Sequence, residues 1–142
     1  MSLSRFTRAV VVASEGDPIA SVARKMRDAR VGSVVVTRSE RPIGIVTDRD
    51  LALRVVAEER NATTTRVSDV VTYGPFVLQE SDEIETAVRS MREHGVRRMP
   101  VVDADGRLIG MVSADDLVTL FGGELAALAE GVAESTDAYE SR

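Results

Sequence analysis

The residue pattern of Gly44-Ile45-Val46-Thr47-Asp48-Arg49-Asp50 recurs 66 positions later in Gly110-Met111-Val112-Ser113-Ala114-Asp115-Asp116. In both copies a glycine and two apolar residues precede a hydroxyl side chain, and an aspartate follows three positions after the hydroxyl. An apolar run predicts a strand, and Thr/Ser-x-x-Asp before an apolar helical pattern predicts the start of a helix. The chain is therefore predicted to contain the same strand-to-helix junction twice.

The residues around the two junctions repeat as well. Apolar residues at helical spacing precede each junction, and the two sets lie 65 positions apart: Ile19, Val22, Ala23 and Met26, then Ile84, Ala87, Val88 and Met91. The one extra residue of the second copy falls in Asp103-Ala104-Asp105-Gly106, which has the composition of a turn. Because insertions belong in turns, the offset supports a true internal repeat.

Each copy predicts the element order β-α-β-β-α. The first strand is an apolar run typical of a strand buried on both faces, at Val10–Val12 and at Phe76–Leu78. An amphipathic helix and two strands follow, over residues 17–29, 33–37 and 43–46 in the first copy and 82–94, 99–102 and 108–112 in the second. The last helix of each copy begins at Thr47 or at Ser113.

One repeat alone buries too little surface to be secure, so the two copies are expected to pack together through their sheets. This gives an α/β (α+β) fold of two pseudo-symmetric repeats. The predicted division is residues 2–58 for the first repeat, 59–66 for a polar connector, 67–122 for the second repeat and 123–142 for an acidic C-terminal helix and tail.

Composition restricts the possible functions. The 142 residues are 44% hydrophobic and include no cysteine, so disulfides and thiolate metal sites are excluded. The net charge is −5, and the residues after Gly123 carry five acids against Arg142, or −4, which leaves a nearly neutral body. This balance disfavours nucleic-acid binding. No apolar run is long enough to cross a membrane and no leader is visible, so a cytoplasmic location without membrane contact is expected.

The ordered set of motifs resembles a pair of cystathionine-β-synthase (CBS) domains, a Bateman module, without an attached catalytic domain. The resemblance extends from about residue 2 to about residue 122. Besides the two junctions it rests on Val67-Ser68-Asp69-Val70-Val71-Thr72 and on Arg98-Met99-Pro100-Val101-Val102-Asp103. It implies a regulatory protein, not an enzyme, that binds AMP, ADP, ATP or a related adenosine compound. It also implies a homodimer that acts on a target protein, which the sequence does not identify.

The resemblance assigns ribose binding to Thr47 and Asp50 in one cleft and to Ser113 and Asp116 in the other. A carboxylate can accept hydrogen bonds from both ribose hydroxyls, which suits the aspartate of each motif. The alternative is structural, because Thr/Ser-x-x-Asp ahead of an apolar helix is also a plain capping box.

The resemblance assigns phosphate binding to basic residues just before the second strand, Arg97 and Arg98, beside the cleft of Ser113 and Asp116. The walls for adenine in that cleft are Val11, Val31 and Ser33. The cleft of Thr47 and Asp50 has Phe76 and Val96 as walls and Arg49 as its nearest cation in sequence. The alternative for Arg97 and Arg98 is a solvated pair that offsets the carbonyl end of the preceding helix.

The sequence leaves alternative classes of function. A dimeric interaction scaffold that binds no ligand is the main alternative, with both motifs acting as capping boxes. A nucleotide hydrolase is disfavoured because the chain has neither a P-loop nor a histidine-based metal cluster. No metal site and no required cofactor are predicted, although Mg²⁺ accompanying a polyphosphate could meet Asp48/Asp50 or Asp115/Asp116. His94 is interpreted as a helix-terminal cation.

Overall fold

Two β-sheets form the centre of the protein, one built mainly from each repeat. The computed structural model describes the backbone of residues 1–140 and the side chains of residues 1–134. The first sheet has the order β1-β2-β3-β4, with strands Val12–Ala13, Ser33–Arg38, Arg41–Thr47 and Thr72–Tyr73. The second sheet has the order β5-β6-β7, with strands Leu78–Gln79, Arg98–Val102 and Leu108–Ser113.

The helices follow the predicted order. α1 (Ile19–Ala29) and α3 (Ile84–His94) join the first and second strands of each repeat, which therefore pair in parallel. α2 (Asp48–Leu51) continues in a π-helical turn over Ala52–Val56, and α4 spans Ala114–Glu140. Short 3₁₀ turns at Leu3–Arg5 and Val67–Asp69 lie at the beginning of the two repeats. The predicted α/β class with two β-α-β-β-α repeats is confirmed.

Strands β2 and β6 are buried on both faces, which places the sheets against each other. Val34 and Val36 pack in the core of the first repeat, and Met99 and Val101 pack in that of the second. Their neighbour Val35 is also fully buried but belongs to neither core. Because successive side chains of a strand point to opposite faces, Val35 points toward the second sheet. A contact of 3.7 Å between the Ser33 hydroxyl and the Met111 sulfur joins the sheets directly.

The two repeats exchange their N-terminal segments. Leu3 and Phe6 pack in the core of the second repeat, while Val67 and Val70 pack in the core of the first. The backbone follows the same exchange, because β4 pairs with β3, and Arg8 pairs with Met111 of β7. Neither core is complete without a segment from the other side of the predicted connector, so the two repeats are expected to fold as one unit.

The glycine that begins each junction motif makes this exchange possible. A Cβ on Gly44 would lie 2.8 Å from the Thr72 carbonyl oxygen, and one on Gly110 would lie 2.5 Å from the Arg8 carbonyl oxygen. These distances are too short for a methyl group. The glycines are therefore required because a crossing segment passes directly over each of them.

Two local predictions differ from the structure. The first strands are only two residues long and begin at Val12 and Leu78, because only these ends of the apolar runs reach the parallel partners Val35 and Val101. Phe76 and Val77 are 47% and 40% exposed, so this run is not a strand buried on both faces. The last helix continues without interruption through Gly122 and Gly123 into the predicted tail. Ser141 and Arg142 of that tail lie outside the described residues.

Candidate functional site

Two clefts lie where the repeats meet, and each contains one of the junction motifs. The Ser113 cleft has a volume of about 220 Å³. It takes residues from both repeats, namely Arg8, Ala9, Val10, Val11, Arg30, Val31, Gly32, Ser33, Arg98, Met111, Ser113 and Asp116. The structure thus brings the predicted ribose pair together with all three predicted adenine walls, Val11, Val31 and Ser33.

The Thr47 cleft is larger, at about 320 Å³. Its lining is mostly apolar and uncharged, from Ser33, Ile45, Thr47, Asp50, Thr72, Tyr73, Gly74, Pro75, Phe76, Val96 and Arg98. Here too the predicted ribose pair meets the predicted walls Phe76 and Val96. Arg98 is the only cationic side chain of this lining, whereas three arginines line the Ser113 cleft.

At the start of α2 both members of the motif are engaged in capping. The Thr47 hydroxyl accepts from the Asp50 backbone N–H at 3.1 Å, and the Asp50 carboxylate accepts from the Thr47 N–H at 2.8 Å. This is a complete capping box. The other oxygen of Asp50 lies 3.8 Å from Nε of Arg54. A ribose would therefore have to share or displace contacts of this carboxylate.

At the start of α4 the aspartate has a different partner. The Ser113 hydroxyl accepts from the Asp116 N–H at 3.1 Å, as in the first repeat. The Asp116 carboxylate, however, pairs with Arg8, whose Nε lies 2.9 Å from Oδ2. Arg8 is 75% exposed and Asp116 30%, so solvent screens this ion pair. Asp116 is accordingly held in the cleft by a contact that an incoming ligand can replace at little cost.

Arg98 and Ser33 line both clefts. The two residues are equivalent in the repeat, 65 positions apart, and therefore lie beside the pseudo-twofold axis that relates the halves. From the sequence, Arg98 is predicted beside the Ser113 cleft alone. A residue beside the axis faces both clefts, which the alignment of the repeats does not reveal.

Two other predicted phosphate contacts lie outside the linings. Arg97 pairs with Asp115 on the exposed surface, and Arg49 is exposed at the first turn of α2. Neither is among the residues that line the Ser113 or the Thr47 cleft. Arg8 and Arg30, which are not predicted from the sequence, line the Ser113 cleft instead. Arg8 could have been found only from the exchange of the N-terminal segments.

Aromatic residues border the Thr47 cleft. The Phe76 and His94 rings stack with centroids 3.6 Å apart and an angle of 10° between their planes. His94, interpreted from the sequence as a helix-terminal cation, thus also supports a predicted adenine wall.

Tyr73 donates from its hydroxyl to Glu15 at 2.6 Å, and Arg38 also bonds to Glu15, at 3.0 Å from Nε. The Tyr73 hydrogen bond and then Arg38 lower the pKa of Glu15, so its carboxylate is ionised at neutral pH.

Among the described residues, no group of three or more His, Cys, Asp or Glu side chains is arranged to hold a metal ion. No helix within residues 1–140 is long and apolar enough to cross a membrane.

The two repeats exchange their N-terminal segments, and a hydroxyl and an aspartate line each cleft between them. These features define the class of the fold, and comparison with known sequences identifies the same class. The CBS domain matches the chain twice, at residues 3–57 and 67–123. The protein belongs to the CBS domain family.

Individual relatives support the same assignment. An uncharacterised protein of Methanopyrus kandleri is 37% identical over 78% of this chain, which spans only 57% of that relative's length. The CBS domain-containing protein YhcV of Bacillus subtilis is 33% identical, with 78% of each chain covered. Among solved structures, a CBS domain protein from Pyrobaculum aerophilum complexed with AMP is 30% identical, with a TM-score of 0.74. That comparison covers 82% of this chain and 90% of the other.

Proposed function

We propose that this protein is a regulatory module that binds an adenine nucleotide, AMP, ADP or ATP, in its inter-repeat clefts and thereby modulates a partner protein. The observation that carries the proposal is the Ser113 cleft, where Ser113, Asp116 and three arginines meet an apolar wall. An apolar wall for a base, an acceptor for ribose hydroxyls and cations for phosphate are what a nucleotide requires. The AMP complex of the Pyrobaculum relative supports the same ligand class.

In the Ser113 cleft the ribose hydroxyls would donate to Asp116 and displace Arg8. The displaced guanidinium remains beside the ligand and can then meet a phosphate oxygen. The adenine would lie between Val11 and Val31, which come from the other repeat. Planar guanidinium groups suit phosphate oxygens, so this cleft should prefer phosphorylated ligands to bare adenosine.

The Thr47 cleft should discriminate less among adenosine compounds. Its walls are apolar, Arg98 is its one cation, and Asp50 is already engaged in the capping box. The stacked pair of Phe76 and His94 offers an aromatic face to a base.

A thermal-shift screen tests the ligand class. The melting temperature is measured with adenosine compounds, guanosine compounds and S-adenosylmethionine at equal concentration. A ligand that binds only the folded state raises the melting temperature by mass action. Adenine nucleotides are expected to raise it and guanosine nucleotides are not. A screen in which no adenosine compound gives a shift would contradict the proposal.

Substitution of Arg98 tests the phosphate contact. Arg98→Ala should weaken AMP binding about 10-fold in the Ser113 cleft, because one charge-assisted hydrogen bond is lost. Adenosine binding should change little. Arg97→Ala is the matched control, because Arg97 is paired with Asp115 outside both linings.

The measurement is a pair of calorimetric titrations, AMP and adenosine, in an Asp50→Ala background that silences the Thr47 cleft. Equal losses for both ligands would mean that Arg98 supports the wall or the fold. An Arg97→Ala effect as large as that of Arg98→Ala would place the phosphate near Arg97.

The alternative function is a dimeric scaffold that binds no ligand. The complete capping box of Thr47 and Asp50 favours it, because this motif is fully accounted for by helix capping. The same argument fails in the second repeat, where the Asp116 carboxylate bonds to Arg8 and not to the start of its own helix.

We also propose that the protein acts as a homodimer that pairs through α4. Val118, Phe121, Leu125 and Leu128 recur at spacings of three, four and three, which is typical of a seam between two helices. They are 70%, 37%, 67% and 65% exposed, respectively. Every residue from 121 to 130 is exposed, so within the described residues this apolar face of α4 is open to solvent.

The stability of α4 favours a second copy of the chain as the partner that covers its apolar face. Most of a helix's stability in a protein comes from packing of its apolar face, and each interior glycine costs a solvated helix about 1 kcal/mol relative to alanine. Gly122, Gly123 and Gly131 all lie inside α4. Glu124, Glu130 and Glu134 lie outside the four-residue stripe, so two such helices can pair without a charge in the seam.

Two aspartates in the stripe should separate the copies. We expect the parent to sediment as a dimer at micromolar concentration and the double variant Leu125→Asp/Leu128→Asp to sediment as a single chain of 15.3 kDa. The control, Ala126→Asp/Ala127→Asp, adds the same charges outside the stripe and should remain a dimer. A parent that sediments as one chain, or a double variant that stays dimeric, would contradict pairing through α4.

A further inference from the structure

Arg30 ends α1 in a backbone conformation that arginine disfavours. Its φ and ψ are 55° and 45°, in the left-handed region. There its N–H caps the helix by donating to the carbonyls of Arg27 and Met26. Side chains with a Cβ are strained in this region, and glycine is the usual residue at this position of a helix end.

The equivalent helix end of the second repeat shows which residue type suits this backbone conformation. Gly95 occupies the equivalent place, 65 positions later, at the end of α3. Its φ and ψ, 63° and 33°, are close to those of Arg30. The same helix end therefore accepts glycine without strain, and capping does not explain the arginine in the first repeat.

The side chain of Arg30 supplies the explanation. It lines the Ser113 cleft together with Arg98 and Asp116. No acidic side chain of residues 1–134 forms an ion pair with Arg30. Arg8 and Arg97, by contrast, are each paired with an aspartate. The other non-glycine residues with positive φ, Ser39, Glu40 and Glu59, line neither cleft.

A strained residue is retained where function requires its side chain. We propose that Arg30 is a phosphate-binding residue of the Ser113 cleft, and that the chain keeps it there at the expense of stability. The inference rests on the proposed nucleotide function and adds a contact between Arg30 and the phosphate. Arg30 and Arg98 approach the cleft from different repeats, so together they select a ligand that carries a phosphate.

The test measures stability and binding on the same variants. Arg30→Gly should raise the melting temperature by roughly 1–4 °C, because glycine relieves the strain, although it also gains freedom in the unfolded chain. It should weaken AMP binding about 10-fold, with adenosine binding changed by less than about twofold. Arg30→Ala is the matched control, because it removes the guanidinium but keeps the Cβ. It should lose AMP affinity equally without the rise in melting temperature.

The titrations use AMP and adenosine in an Asp50→Ala background. If the parent binds AMP and Arg30→Gly binds it equally well, Arg30 does not contact phosphate and the inference is wrong. If Arg30→Gly is no more stable than Arg30→Ala, the claim of strain is wrong. If the parent binds neither ligand, the proposed function itself has failed and the phosphate role fails with it.

Discussion

Gly110→Ala should lower the free energy of unfolding by about 1–3 kcal/mol, as expected for a methyl group forced into a site with no space. The new Cβ would lie 2.4 Å from Cγ2 of Thr7 and 2.5 Å from the Arg8 carbonyl oxygen. The Arg8 backbone cannot retreat without breaking its pairing with Met111. Movement of this segment would also disturb Leu3 and Phe6, which complete the core of the second repeat.

Gly16→Ala is the control for this substitution. A Cβ on Gly16 meets nothing within 4 Å, and its φ lies outside the left-handed region. It should leave stability unchanged or raise it by up to about 1 kcal/mol, through the lower entropy of the unfolded chain. Urea denaturation at 25 °C measures both variants. Equal stability of the two would mean that the exchanged segment does not cross over Gly110 as described.

Asp116→Ala should weaken AMP binding about 10- to 150-fold, because a charge-assisted pair of hydrogen bonds to the ribose is lost, at roughly 1.5–3 kcal/mol. The fold should tolerate the change. The Ser113 hydroxyl still accepts from the backbone N–H of residue 116, and the lost ion pair with Arg8 is exposed and worth at most about 1 kcal/mol.

Asp50→Ala separates ligand binding from capping. Asp50 accepts the Thr47 N–H, so its loss should lower the stability of the unliganded protein by about 1 kcal/mol. Asp116→Ala should therefore cost more in AMP affinity and less in stability than Asp50→Ala. Calorimetry and thermal denaturation on both variants give the comparison. Unchanged AMP affinity in Asp116→Ala, or a large loss of stability without ligand, would support the capping interpretation of the second motif.

Much of the fold could be predicted because the sequence contains two copies of the same repeat. The elements predicted in one copy could be compared with those of the other, and the change in offset from 65 to 66 residues located the turn that contains the extra residue. The first strands were predicted too long because periodicity does not distinguish a buried strand from a cleft wall. Val11 and Phe76 are apolar because they line clefts.

The parts of the site that the sequence did not predict depend on the approach of segments distant in the chain. Arg8 reaches Asp116 only because the N-terminal segment crosses to the second sheet. Arg98 faces both clefts only because it lies beside the pseudo-twofold axis. Arg97 and Arg98 are adjacent in sequence, yet Arg97, in the bend before β6, pairs with Asp115, whereas Arg98, the first residue of β6, lines both clefts. Linear spacing contains none of this information.

The most direct test of nucleotide binding is a calorimetric titration of the intact chain with AMP, with GMP as the reference ligand. We predict saturable AMP binding that Asp116→Ala weakens at least 10-fold, and far weaker binding of GMP. Absence of saturable AMP binding up to about 1 mM, a concentration that would detect even a weak site, would contradict it.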